Sequence, residues 1–176
     1  MTEPWQVRDR FVELRSRWLT VIGEHLQDDQ NQLLEYWRVE KADSAIILPL
    51  QGDRLILPAS AYRPGVGAAT LDFPGGRVPE GISPAAIAPQ ILCRELGIPA
   101  GAIATLHSLN SDGWLVNSSF SNQQLFGFVA TLTPETAIAP THRTYPTTRD
   151  GIQSLLQALV CLQCRVVLLE WLREVR

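Results

Sequence analysis

The chain has 176 residues, 45% apolar and 19% charged, which gives room for one domain with its own core and excludes an intrinsically disordered polypeptide. Its 18 acidic and 15 basic residues leave a net charge of -3, so no general electrostatic footprint for nucleic acid or an anionic membrane is present. Lys41 is the single lysine among arginines, which leaves local bidentate phosphate recognition open. Met1-Thr2-Glu3-Pro4-Trp5 lacks the basic and apolar regions of a secretory signal. The most apolar stretch, Gly151 to Leu172, is interrupted by Gln157, Gln163, Arg165 and Glu170, so no membrane span is expected and a cytoplasmic protein is.

In chain order, the first forty residues read two ways. Val7, Phe11, Leu14 and Trp18 fit a helical face, while the alternation around Trp18, Thr20 and Ile22 fits a strand. Asp28 to Asn31 reads as a turn before a strand-like run from Leu34 to Val39. Ala45 to Leu50 and Arg54 to Leu57, separated by Gln51-Gly52-Asp53, predict a hairpin with one strand buried. From Tyr62 to Gly81 glycine and proline dominate around Pro74-Gly75-Gly76, a composition that suits a functional loop.

Ser83-Pro84 supplies an N-cap and a first-turn proline for a helix through Leu96 that Gly97 stops, with Pro89 expected to bend or shorten it. Ala102 to Leu109 and Leu125 to Leu132 read as strands, with Asn117 to Gln123 a polar connection between them. Thr133 to Thr148 reads as a surface loop. Gly151 to Val175 predicts one long helix with a wide apolar stripe. Cys161 and Cys164 have C-x-x-C spacing, which binds zinc or carries redox chemistry in some proteins; inside a helix the pair reads as core packing. His107 reads as a residue packed on its strand. Strands mixed with flanking helices indicate an α/β or α+β sandwich.

The run Leu71-Asp72-Phe73-Pro74-Gly75-Gly76-Arg77-Val78-Pro79-Glu80-Gly81, with the helix after it, resembles the Nudix hydrolase superfamily, whose signature is G-x5-E-x7-R-E-U-x-E-E-x-G-U. Counted from Gly76, the glycines, the apolar positions and the last glutamate, Glu95, match. Tyr36-Trp37-Arg38-Val39-Glu40, Ile47-Leu48-Pro49-Leu50, Tyr62-Arg63-Pro64-Gly65-Val66 and Ser119-Phe120-Ser121-Asn122 resemble segments of its ADP-ribose and nucleoside-diphosphate-sugar pyrophosphatase branch. The resemblance implies a Nudix-type α/β/α sandwich around a mixed sheet, with a long C-terminal helix. It implies a Nudix-like domain over 41–176, and a strand-leaning N-terminal segment and hairpin over 1–40 as the arm of a homodimer.

The same resemblance implies diphosphate chemistry on magnesium held by helix glutamates, yet Ile82, Gln90, Ile91 and Arg94 stand at four signature positions and Gln123 replaces a further acid. Magnesium needs clustered oxygen ligands. The candidate catalytic residues are therefore reduced to Glu95 and, in the late loop, Glu135. Arg63, Asp72, Gly75, Gly76 and Arg94 are the candidate substrate-binding residues, and Glu95 with the Gly75 carbonyl the metal ligands if a metal binds. The leading expectation is a module that binds a nucleotide or nucleotide sugar, or a protein partner, with little or no hydrolysis. The alternatives are an active magnesium-dependent diphosphatase with a site rebuilt from Asp72, Glu80, Glu95 or Glu135, and a scaffold subunit of a larger assembly.

Overall fold

The computed structural model describes residues 4–175. The chain forms two compact units, one made of Met1–Asp43 with Leu115–Gln124, the other of Ser44–Trp114 with Leu125–Arg176.

The first unit is an antiparallel meander of β1 (Gln6–Arg15), β2 (Leu19–Gln27) and β3 (Leu33–Lys41). The helical reading of Val7, Phe11, Leu14 and Trp18 does not hold. Register shifts between Val7 and Asp9 and between Arg10 and Val12 interrupt the alternation of β1, and each extra residue gives the apolar positions a spacing that looks helical. The β2–β3 turn closes on Asp28, whose Oδ1 accepts from the amides of Gln30 at 2.9 Å and Gln32 at 2.8 Å, while Asn31 takes φ 62°.

One face of this sheet is aromatic. Phe11 packs edge-on to Trp37 at 5.4 Å and against His25 at 4.9 Å. Gly23 sits beneath them, where a Cβ would stand 2.8 Å from the Phe11 ring. On β2, Glu24 is buried; its Oε1 accepts from Arg38 Nε at 2.6 Å and its Oε2 lies 3.5 Å from Arg10 Nε. The inserted segment joins the edge of β3: Val39 donates its amide to the Phe120 carbonyl at 2.8 Å, and Lys41 donates to Asn122 Oδ1 at 2.9 Å.

The second unit is built on β4 (Ser44–Gln51), which pairs in parallel with β11 (Gln124–Leu132) and antiparallel with β5 (Arg54–Leu57) and β8 (Gly75–Arg77). β9 (Ile103–Ser108) joins β11 antiparallel, β12 (Arg143–Pro146) closes the far edge on β5, and the short β10 (Trp114–Leu115) lies beside β11. A separate hairpin, β6 (Ala61–Arg63) with β7 (Ala68–Thr70), precedes the glycine loop.

The continuous apolar run of β4 is explained by burial on both faces. Ala45 and Ile47 join Ile56, Phe128, Ala130 and Leu132 in a core with α1 (Pro84–Leu96). Ile46, Leu48, Val129 and the helices α2 (Arg149–Ala158) and α3 (Leu162–Glu174) contribute the other buried residues, among them Leu155, Val167 and Leu168. Gly127 of β11 leaves room for this side: a Cβ there would meet Val167 at 3.3 Å.

Three features differ from the sequence expectation. Pro89 does not shorten α1, which runs to Leu96; the carbonyl its missing N–H leaves free belongs to Ala85, an exposed residue in the first turn. The segment from Thr133 to Thr148 is not all loop: β12 forms there because β5 offers it an edge. The single helix over 151–175 is two helices. Leu159 leaves helical geometry at φ -79°, ψ 112° and bridges Leu71, while the Arg165 guanidinium takes the carbonyls of Leu156 and Leu159, serving the end of α2 from inside α3.

Two outcomes follow from the packing. Arg38 hydrogen-bonding holds the Glu24 carboxyl below its ordinary value of 4.5, so its stabilising contribution is complete above that value and is lost as pH falls through the lowered one. Urea midpoints should show this acid-side loss in the wild type and not in Glu24→Ala, which itself costs about 2 kcal/mol by removing the charge-assisted hydrogen bond to the partly exposed Arg38. At Gly151 a Cβ would stand 2.2 Å from the Pro146 carbonyl oxygen, so Gly151→Ala should destabilise by about 1–3 kcal/mol in the same assay.

Candidate ligand site at the glycine loop

β8 carries Gly75 and Gly76 against β4, in register with Ile46 and Ala45. After β8 the chain turns to Ser83, whose hydroxyl accepts from the Ala86 amide at 3.3 Å and starts α1; Gly97, at φ 65°, ends it. Arg94 and Glu95 fall on the last turn of α1. This geometry brings four of the candidate residues together.

The Arg94 Nη2 group donates to the Gly75 carbonyl at 3.0 Å and to Glu95 Oε1 at 2.7 Å. The second Glu95 oxygen, Oε2, accepts from the Gly75 amide at 3.2 Å. Gly76 lies over the helix: a Cβ there would stand 3.0 Å from Arg94 Nη2 and 3.2 Å from Ile91. Ile91 is fully buried in the α1 core, Ile82 is exposed, and Gln90 is exposed.

Both metal ligands expected from the sequence, Glu95 and the Gly75 carbonyl, are thus engaged by one guanidinium. Two unit charges at ~4 Å interact by about 4 kcal/mol at an effective dielectric near 20, and a divalent ion doubles the repulsion from a cation. Arg94 is 57% exposed, which screens part of that penalty without removing it. The donor set around Glu95 does not fit magnesium. It fits an anion better, since Arg94 is more than half exposed and a guanidinium carries five N–H donors.

Arg63 and Asp72 also meet, with Arg63 Nε donating to Asp72 Oδ2 at 2.9 Å. Thr70 Oγ1 donates to the same oxygen at 2.8 Å. Half of the Arg63 side chain remains accessible. Glu135 is exposed in the turn after β11 and makes no ion pair among the described residues. Gln123, in the first unit, is buried and donates to the Ala42 carbonyl at 3.2 Å. His107 is not packed but exposed, 2.9 Å from the Glu174 carboxylate.

The cysteine pair was only partly legible. Cys164 is buried in α3, as core packing requires, but Cys161 lies outside the helix at its N-cap. The signal that separates them is Arg165, a cation in an apolar run, which caps the preceding helix. A hydrogen bond from Cys164 holds the Cys161 thiol down at about 6, and the same bond with burial pushes the Cys164 thiol up. Among the described residues, Asp72, Cys161 and Cys164 form a group whose ligand atoms all lie within 4.8 Å of one another.

No protein-family model and no curated protein matches the sequence. Solved structures do: an ADP compounds hydrolase superposes with a TM-score of 0.80 over 99% of this chain and 95% of its own, at 21% identity. The chain has a Nudix-type fold. Its mixed sheet and helices are those of the α/β/α sandwich that the glycine-loop motif implied, with α3 as the C-terminal helix. At this identity the likeness is one of fold.

The contact between the loop and the helix is testable. Gly76→Ala should lower stability by about 1–2 kcal/mol, since Ile91 is buried and cannot retreat freely. Gly101→Ala, where nothing lies within 4 Å of the new Cβ, should stay within about 0.5 kcal/mol in thermal denaturation.

Proposed function

We propose that this protein binds a nucleoside-diphosphate ligand of the ADP-ribose or nucleotide-sugar class and hydrolyses it little or not at all. The observation that carries the reading is the Arg94 guanidinium bonded at once to Glu95 and to the Gly75 carbonyl. A diphosphate brings the negative charge that a guanidinium complements, and a magnesium ion brings charge that it repels. The Nudix-type fold shared with an ADP compounds hydrolase supports this ligand class.

In this reading Gly75 and Gly76 bring backbone close to the ligand, Arg94 meets a phosphate, and Arg63, oriented by Asp72, supplies a second cation. Glu95 acts as the carboxylate that holds Arg94 in place. The exposed apolar side chains of the β1–β3 sheet, including Val7, Leu14, Trp18 and Leu33, support a homodimer through this arm.

Calorimetric titration with ADP-ribose, with and without magnesium, together with a product assay, tests the proposal. Binding should survive magnesium removal, weaken about tenfold or more in Arg94→Ala, and proceed without turnover. Magnesium-dependent turnover that disappears in Glu95→Gln would support the diphosphatase alternative and overturn the reading.

A further inference from the structure

We propose that Asp72, Cys161 and Cys164 form a binding site for one thiophilic divalent cation of the zinc type, sharing the Asp72–Arg63 pair with the proposed nucleotide site. Three observations converge on it. The first is spacing. C-x-x-C is a chelating interval for zinc, and here the break between α2 and α3 puts Cys161 at the helix cap and Cys164 in its first turn, on one side of the chain. Cys164 Sγ stands 3.9 Å from Asp72 Oδ1, and all three ligand atoms lie within 4.8 Å of one another. Tetrahedral zinc, with bonds of about 2.3 Å to sulfur and about 2.0 Å to oxygen, separates such atoms by roughly 3.5 Å. Small side-chain adjustments close the set.

The second observation is orientation. Asp72 is 13% exposed and uses Oδ2 for both Arg63 and Thr70, which leaves Oδ1 turned to the thiol of Cys164. Cys164 Sγ in turn accepts from the Phe73 amide at 3.4 Å. Supporting bonds of this kind fix ligand geometry in metal sites.

The third is charge and access. Two thiolates and one carboxylate sum to three negative charges; Arg63 and a divalent cation restore neutrality in a sheltered place. Cys164 is buried, whereas Cys161 is only half-buried. Three protein ligands leave a fourth position for water, the pattern of an open rather than a closed zinc site.

The test is cobalt(II) titration of the full chain kept under reductant, read by the thiolate-to-cobalt charge-transfer band, with zinc competition and metal analysis. One equivalent should bind and be displaced by zinc. Asp72→Asn and Cys161→Ser should each weaken uptake at least tenfold while circular dichroism stays unchanged, and Cys93→Ser, on the exposed face of α1, should bind as wild type. No cobalt uptake by the reduced wild type overturns the proposal. So does a charge-transfer band that forms in Cys161→Ser at the wild-type cobalt affinity.

Discussion

Arg94 sits where the glycine loop and the end of α1 meet, and the arrangement around it depends on what one guanidinium can satisfy. The Gly75 carbonyl and the Glu95 carboxylate are strong acceptors, and both face the same few ångströms. With Arg94 between them their charge is balanced from within the chain, and the Gly75 amide completes the carboxylate. What opposes a cation here is the positive charge of Arg94 held against both acceptors. The loop is held to the helix by side chain and backbone together.

Ile91 is fully buried beneath Gly76 and belongs to the same core as Ile87, Leu92 and Ile47. A glutamate there would need a metal or another cation to offset its desolvation. An isoleucine needs only neighbours. β4 supplies them from one face, through Ala45 and Ile47.

Much of the second unit was legible because its signals are local. Ser83 and Gly97 bound α1 through their own side-chain and backbone preferences, and Gly52 marks the β4–β5 turn at φ 56°. The misreadings have non-local causes. β12 exists because β5 has a free edge, the C-terminal helix divides because Leu71 and Arg165 engage its middle, and the bulges of β1 imitate helical spacing. The candidate residues at the glycine loop were named from their order in the chain. That Arg94 bonds both supposed metal ligands depends on side-chain direction, which spacing does not encode. The proximity of Asp72 to Cys161 and Cys164 spans about ninety residues and was out of reach for the same reason.

The segment Leu115–Gln124 belongs with the β1–β3 meander although it is made long afterwards, and this bears on how the chain is born. Hairpin pairing among β1, β2 and β3 is local and can begin once Lys41 has emerged. The partners of Val39, Lys41 and Asp43 are Phe120, Asn122 and Gln124, some eighty residues downstream. At roughly 5–20 residues per second of synthesis, the edge of β3 waits several seconds for them. During that interval a nascent chain presents an open strand beside an aromatic face, the combination most prone to pairing with a neighbour on the same message.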